Sequence, residues 1–182
     1  MTLTEIGIKH GTDKATYHGF TDFYEREFNK LQFHPKTILE VGIKDGASLR
    51  AWHEFFPNAI VIGVDINPSF DIPGVVTLRG DATTTQFYHQ IKDIKFDLII
   101  DDGSHMTQDQ QTTFLYLSRL LKFTGLYIME DIHTSFLSAY VNSPITTYDW
   151  LKNIINQHYD VDIYHKDPNV FHDSVTAIIS HK

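Results

Sequence analysis

Residues 37–56 read TILEVGIKDGASLRAWHEFF, and the periodicity of this stretch changes part-way along. Thr37 to Ile43 is a short apolar, β-branched run. From Ser48 to Phe56 the apolar residues Leu49, Trp52, Phe55 and Phe56 recur at helical spacing. A run too short for a helix, a turn carrying Gly42 and Gly46, and then a helical face predict strand, turn and helix in succession.

The pattern continues downstream. Ala59 to Asp65 (AIVIGVD), Val75 to Asp81 (VVTLRGD), Phe96 to Ile100 (FDLII) and Gly125 to Met129 (GLYIM) read as buried strands. Helical spacing returns over Thr84 to Ile94, Thr107 to Leu121 and Thr147 to Gln157. Two last strands, Tyr159 to His165 and Ser174 to Ser180, are joined by Lys166 to Asp173 without a helical pattern, so an antiparallel pair at the sheet edge is expected. Strands alternating with helices need right-handed crossovers that cover both faces of a parallel sheet. The prediction is therefore an α/β, Rossmann-like doubly wound sheet of seven strands, mostly parallel with an antiparallel strand at the edge and helices on both faces. Without an internal repeat or linker, 1–182 reads as one domain, with 1–36 as an N-terminal helical cap segment and 37–182 as the core. Phe20, Phe23, Tyr24 and Phe28 fall on one helix face of that cap, as core-packing residues do.

Composition narrows the function. Twenty-three acids against 15 bases give a formal charge of -8, which argues against binding phosphate backbones and makes a nucleic-acid partner unfavoured. The absence of cysteine excludes disulfides, thiolate metal sites and cysteine nucleophiles, so a metal must sit on oxygen or imidazole. No apolar run approaches the roughly 20 residues of a membrane span, and the N-terminus has no basic and apolar signal pattern. A cytoplasmic protein without a membrane segment is expected.

In open α/β sheets ligands bind at the carboxyl ends of the strands. Five successive predicted strands end there in Gly42, Asp65, Asp81, Asp101 with Asp102, and Glu130 with Asp131. Buried strands have no need of acids at their ends. The turn Glu40 to Ser48 lets a ligand approach the backbone and offers helix-terminal amides, yet it lacks the G-x-G-x-x-G spacing of a dinucleotide site. A carboxylate at Glu40 suits an ammonium better than a pyrophosphate. Asp65, 25 residues after Glu40, stands where an acid bonds ribose hydroxyls. Asp81 is placed for an adenine amino group, with helix capping by Asp81 or Thr83 as the competing reading. Up to four carboxylates from Asp101, Asp102, Glu130 and Asp131 meeting at adjacent strand ends call for a cation, and magnesium or another hard divalent ion matches oxygen donors. His105, three residues past Asp102, is placed as a general base, since imidazoles ordinarily titrate near pH 6.5.

With these residues in view, the chain resembles the class I S-adenosylmethionine-dependent methyltransferases, and among them the metal-dependent sugar O-methyltransferases of antibiotic glycoside biosynthesis. The likeness rests on Gly11-Thr12-Asp13-Lys14 with His18 and Tyr24, on Gly46 to Arg50 followed by Trp52, on Asp101 to His105, and on Glu130-Asp131. The resemblance implies that Glu40, Gly42, Gly46 and Ser48 line the methionine moiety, that Asp65 holds the ribose, and that Asp81 with Ala82 faces the adenine. It implies Asp102, Glu130 and Asp131 as magnesium ligands and His105, working with Asp102, as the base acting on the acceptor hydroxyl. Lys14, in a segment that folds over the cofactor, and Asp101 are further cofactor contacts on this reading; Tyr17, His18 and His133 are candidate acceptor contacts. A homo-oligomer, with neighbouring N-terminal segments closing the site, and a sugar, glycoside or other small-molecule hydroxyl acceptor complete the expectation. A catechol-type methyltransferase, a metal-dependent hydrolase, a nicotinamide-dependent oxidoreductase and a non-catalytic module on the same fold are the alternatives. The hydrolase leaves Glu40, Asp65 and Asp81 unexplained, and the missing third glycine counts against the oxidoreductase.

Overall fold

The computed structural model describes residues 1–67, 71–167 and 174–182. Seven strands form one sheet: β1 (Thr37–Val41), β2 (Ile60–Asp65), β3 (Val75–Arg79), β4 (Phe96–Asp101), β5 (Leu121–Met129), β6 (Tyr159–His165) and β7 (Val175–His181). Their order is β3-β2-β1-β4-β5-β7-β6. The first five are parallel; β7 runs antiparallel to both β5 and β6, which places the predicted hairpin pair at one edge. Most of the link between β6 and β7, residues 168–173 and with it Pro168 and Asn169, lies outside the described residues.

Side chains alternate across each strand, and the two faces carry separate cores. Leu39 and Val41 of β1 join Ile99, Tyr127 and Ile179 beneath the helices α4 (Thr85–Ile91), α5 (Thr107–Leu117) and α6 (Thr147–Asn153). Ile38, Ile100 and Ile128 face the other way, towards α1 (Leu3–His10), α2 (Thr21–Lys30) and α3 (Ala47–Phe55), where Phe20, Phe23, Tyr24, Phe28 and Trp52 fill the layer. The N-terminal segment is thus built into one face of the sheet. α1 starts in a capping box, with Thr2 Oγ1 accepting from the amide of Glu5 at 3.1 Å and Glu5 Oε2 accepting from that of Thr2 at 2.8 Å.

One boundary differs from the periodicity. The helical spacing of Leu117, Leu120 and Leu121 continues only as a 3-10 turn over Ser118–Leu120, and β5 begins at Leu121 rather than Gly125. Lys122 Nζ, 2.9 Å from Asp97 Oδ2, ties this extension to β4 across a register shift between Phe96 and Leu98. Among the described residues no helix is long and apolar enough to cross a membrane.

The site is positioned by the place where strand order reverses. From β1 the chain crosses to β2 on one side, while β4 lies on the other, and a crevice opens at their carboxyl ends. Three backbone bonds align the ends: Gly42 N to Val64 O at 2.8 Å, Asp102 N to Val41 O at 3.0 Å and Glu130 N to Asp101 O at 2.9 Å. The turn after β1 runs so close to that after β4 that a Cβ on Gly42 would lie 2.1 Å from the Asp102 carbonyl oxygen, and its φ of 92° is itself left-handed. Gly11, with φ 79° and open space around it, separates the two effects. Gly11→Ala is expected to cost about 1 kcal/mol from backbone strain alone, and Gly42→Ala about 3 kcal/mol or more once overpacking is added. Denaturant unfolding of both variants checks this; equal losses would remove the close approach as the cause.

Candidate active site

A cavity of about 560 Å³ opens over the carboxyl ends of the strands. Its size is that of a small-molecule site. At one end lie Asp65, Asp81 and Ala82; at the other, Lys14, His18, Asp102, His105, Glu130 and Asp131; Gly42 and Ser48 lie between.

At the first end, the Asp65 carboxylate takes the amides of Ile43 at 2.9 Å and Asn67 at 2.8 Å, pinning the β1–α3 turn to β2. Burial pushes its pKa up, but these backbone bonds outweigh that and hold it below the usual carboxylate range. Asp81 Oδ1 accepts from the amide of Thr83 at 2.9 Å and its hydroxyl at 2.6 Å. The cap of α4 is neither of these residues but Thr84, whose hydroxyl accepts from the Phe87 amide at 3.2 Å. Asp81 therefore shapes the turn after β3 while lining the cavity.

At the second end, Lys14 is fully buried among carboxylates. Its Nζ donates to Asp102 Oδ2 and to Glu130 Oε2 at 2.8 Å, and lies 3.4 Å from Glu40 Oε1. Burial alone would lower the lysine's pKa; Asp102, Glu130 and Glu40 together raise it well above the ordinary value. Glu40 is completely buried, accepts from Ser48 Oγ at 2.9 Å, and is pushed up to about 7 by loss of solvent despite Lys14. Burial likewise raises Glu130.

Asp131 has a left-handed backbone, φ 54°, and three imidazoles surround its carboxylate: His105 Nε2 at 3.5 Å, His133 Nδ1 at 3.7 Å and His18 Nδ1 at 3.8 Å. Asp102, His105 and Asp131 offer donor atoms that all lie within 4.8 Å of one another. Glu130 Oε1 and Asp131 Oδ1 are buried without a hydrogen-bond partner. Orphaned acceptors beside a convergent donor set suit a cation.

Other sequence-singled residues lie apart from the cavity wall. Glu40 and Gly46 stand behind it. Asp101 points below its floor, where Tyr127 Oη donates to Oδ2 at 3.0 Å. Tyr17 is two-thirds exposed, with its carbonyl accepting from Lys166 Nζ. His133, 3.7 Å from Asp131, does not line the cavity, whereas His18, 3.0 Å from Ser174 Oγ, does. Lys44, not singled out by sequence, lines the cavity and clasps Asp13 at 2.8 Å, closing the Gly11–Lys14 turn over the β1–α3 loop. Thr134 was also missed: its hydroxyl lies 2.9 Å from the His105 carbonyl and 2.8 Å from that of Asp131. Neither residue carries a local motif that would mark it.

The profile of the FtsJ-like methyltransferases matches residues 23–161. The chain belongs to that family. Among curated relatives of this FtsJ-like chain, the 8-demethyl-8-(2-methoxy-alpha-L-rhamnosyl)-tetracenomycin-C 3'-O-methyltransferase of Streptomyces olivaceus is 33% identical over 150 residues, 76% of this chain and 38% of the relative. The mycinamicin VI 2''-O-methyltransferase of Micromonospora griseorubida is 32% identical over 146 residues, 74% of this chain and 37% of the relative. The solved MycE methyltransferase of the mycinamycin biosynthetic pathway, in complex with Mg and SAH, superposes with TM-score 0.84 at 26% identity, covering 100% of this chain and 55% of that one. The chain thus spans about two-fifths of the length of the curated relatives it matches.

Asp101 supplies a test of the site's electrostatics. Burial pushes its carboxyl from 3.8 up to about 7, against the bonds from Tyr127 and the Gly103 amide. Between those two values the folded state keeps a proton that the unfolded chain has released, so stability falls as pH rises through the window. Asp101→Asn removes that dependence. The melting temperature of the variant relative to wild type should rise between about pH 4 and about pH 7.5, and a constant difference would contradict the buried, proton-retaining carboxyl.

Proposed function

We propose that this FtsJ-like chain is an S-adenosylmethionine-dependent O-methyltransferase, assisted by a divalent metal such as magnesium, that transfers a methyl group to a hydroxyl of a sugar or glycoside. The observation that carries this reading is the division of one cavity into two chemically distinct ends. Asp65, Asp81 and Ala82 suit a nucleoside; the convergent donors of Asp102, His105 and Asp131, with Glu130 beside them, would suit a divalent cation next to an acceptor hydroxyl. The named relatives, both sugar O-methyltransferases, support the acceptor class, and the Mg and SAH held by MycE support the metal and the cofactor. The net charge of -8 and the acidic wall disfavour a polyanionic acceptor.

Asp102 and Asp131, with Glu130, would hold the ion. That ion supplies positive charge that orients two neighbouring oxygens and lowers the pKa of the attacking one. His105 Nε2 takes the hydroxyl proton, and Asp131 Oδ2, 3.5 Å away, stabilises the resulting imidazolium. Asp65, with both oxygens already fixed by backbone amides, presents a preset carboxylate to ribose hydroxyls. Gly42 and Ser48 allow the rest of the cofactor to lie against the backbone, and Glu40 behind Ser48 sets the sign of the potential there. As the sulfonium becomes a thioether its charge vanishes, so the acidic wall holds substrate more strongly than product.

The proposal extends to a cytoplasmic enzyme and to a homo-oligomer in which a neighbouring N-terminal segment closes the mouth; exposed Tyr17 on that segment supports this, and a monomer in light scattering would remove it. Titration calorimetry with S-adenosylmethionine, S-adenosylhomocysteine and NADH, each with and without magnesium, is expected to show binding of the two sulfur nucleotides only. NADH binding, or none, would overturn the reading. His105→Ala is expected to lower turnover on a glycoside acceptor by about 10²- to 10⁴-fold with cofactor affinity near normal; loss of both in proportion would reassign His105 to binding.

A further inference from the structure

The Gly11-Thr12-Asp13-Lys14 element does more than cover the cavity. Gly11 ends α1 in a left-handed conformation, its amide and that of Thr12 both donate to Gly7 O, and Asp13 is clasped from outside by Lys44. With both flanks fixed, the Lys14 side chain is directed inward. Among the described residues no other lysine or arginine is buried. Its ammonium reaches Asp102, Glu130 and Glu40, the first two being carboxylates assigned above to the metal.

An ammonium in hydrogen-bond contact with two carboxylates leaves them little charge to offer a second cation. In a partly buried site, two like charges a few ångströms apart repel strongly because little solvent screens them. A divalent ion drawing on both Asp102 and Glu130 must therefore push the ammonium aside or be weakened by it. The cluster is also under-served by the lysine alone: Glu130 Oε1 is a buried acceptor without a hydrogen bond, and Glu40 Oε1 has the ammonium only at 3.4 Å. We propose that Lys14 is a resident counter-cation that competes with the divalent ion for Asp102 and Glu130, holding the acid cluster together in the metal-free protein and setting the metal concentration at which the site loads. This rests on the metal-assisted reading and adds to it a positioning role for one side chain.

Three measurements on the full chain test it. Magnesium calorimetry should show Lys14→Met binding at least tenfold more tightly than wild type, while Lys30→Met, which removes an exposed charge paired with Glu27 outside the cavity lining, changes affinity less than threefold. Without magnesium, Lys14→Met should melt below wild type and recover most of the loss at saturating magnesium; the wild-type melt should move much less. In wild type, proton–nitrogen correlation spectra of the lysine ammonium groups should show one slowly exchanging signal from buried Lys14 that shifts or vanishes on magnesium saturation. This last readout decides the matter if Lys14→Met fails to fold. Magnesium binding by the variant alone supports the competition. Equal affinity of the two proteins, or an unmoved ammonium signal at saturation, overturns it and leaves the metal-assisted reading standing. Binding by neither protein overturns both.

Discussion

The carboxyl ends of β1 and β4 lie side by side, bridged by the bond from Asp102 N to Val41 O, while the chain leaves each strand towards an opposite face of the sheet. Helices cannot cover a point from which both connections depart. The sheet therefore carries a crevice there, lined by residues that follow the ends of its five parallel strands. Gly42 is the local condition for that geometry, since any side chain would collide with the Asp102 carbonyl. Cofactor-sized space, the acid cluster and the turn before α3 all depend on this one backbone approach.

Charge is the second constraint, and it works against stability. Glu40, Asp101 and Glu130 are removed from water, and burial is the largest influence on each, raising all three. A buried carboxylate is tolerated when paired and hydrogen-bonded. Here one ammonium serves Glu40, Asp102 and Glu130, the first only at 3.4 Å, and Glu130 Oε1 stays without a hydrogen bond. A domain core selected only for stability would fill this space with apolar groups. Retaining buried acids in and behind the wall of a cavity is the mark of a site that handles a positive charge, and here two such charges, a sulfonium and a divalent ion, belong to the proposed reaction.

Much of the fold was legible because its signals are local. Continuous apolar runs ending in acids identify parallel strands, and β2 and β4 are buried along most of their length; β3, expected to be buried on the same pattern, is instead the edge strand and has no buried residue, because only one side of it is paired. The early start of β5 was not legible, because Leu117, Leu120 and Leu121 satisfy helical spacing while the 3-10 turn that ends the helix depends on how Lys122 meets Asp97. Within the site, sequence marks which strand ends carry polar residues but not how deep each side chain goes. Asp101 and Asp102 are neighbours, yet alternation sends the first to Tyr127 beneath the floor and the second into the cavity. Lys14 finds Asp102 across 88 positions of sequence, a pairing that no local pattern encodes.

The two ends of the cavity are organised differently. Asp65 and Asp81 are set by the sheet and the turns directly following it, so their geometry is inherited from the fold. His105 and Asp131 sit on two loops tied together by the Thr134 hydroxyl, placed between their carbonyls. The helix after His105 receives no cap from its own N-cap residue, Met106; Asn142, from the loop before α6, accepts from Gln108 N at 2.8 Å instead. Gln111 Nε2 donates to Ile145 O and Ser143 Oγ to Gln111 Oε1, tying the same loop along α5. Residues 137–146 thus brace His105 and Asp131 from outside the sheet. On the proposed reading, changes in that loop re-aim His105 against Asp131 and leave the Asp65 and Asp81 end untouched, so that one cofactor geometry would serve different hydroxyl acceptors.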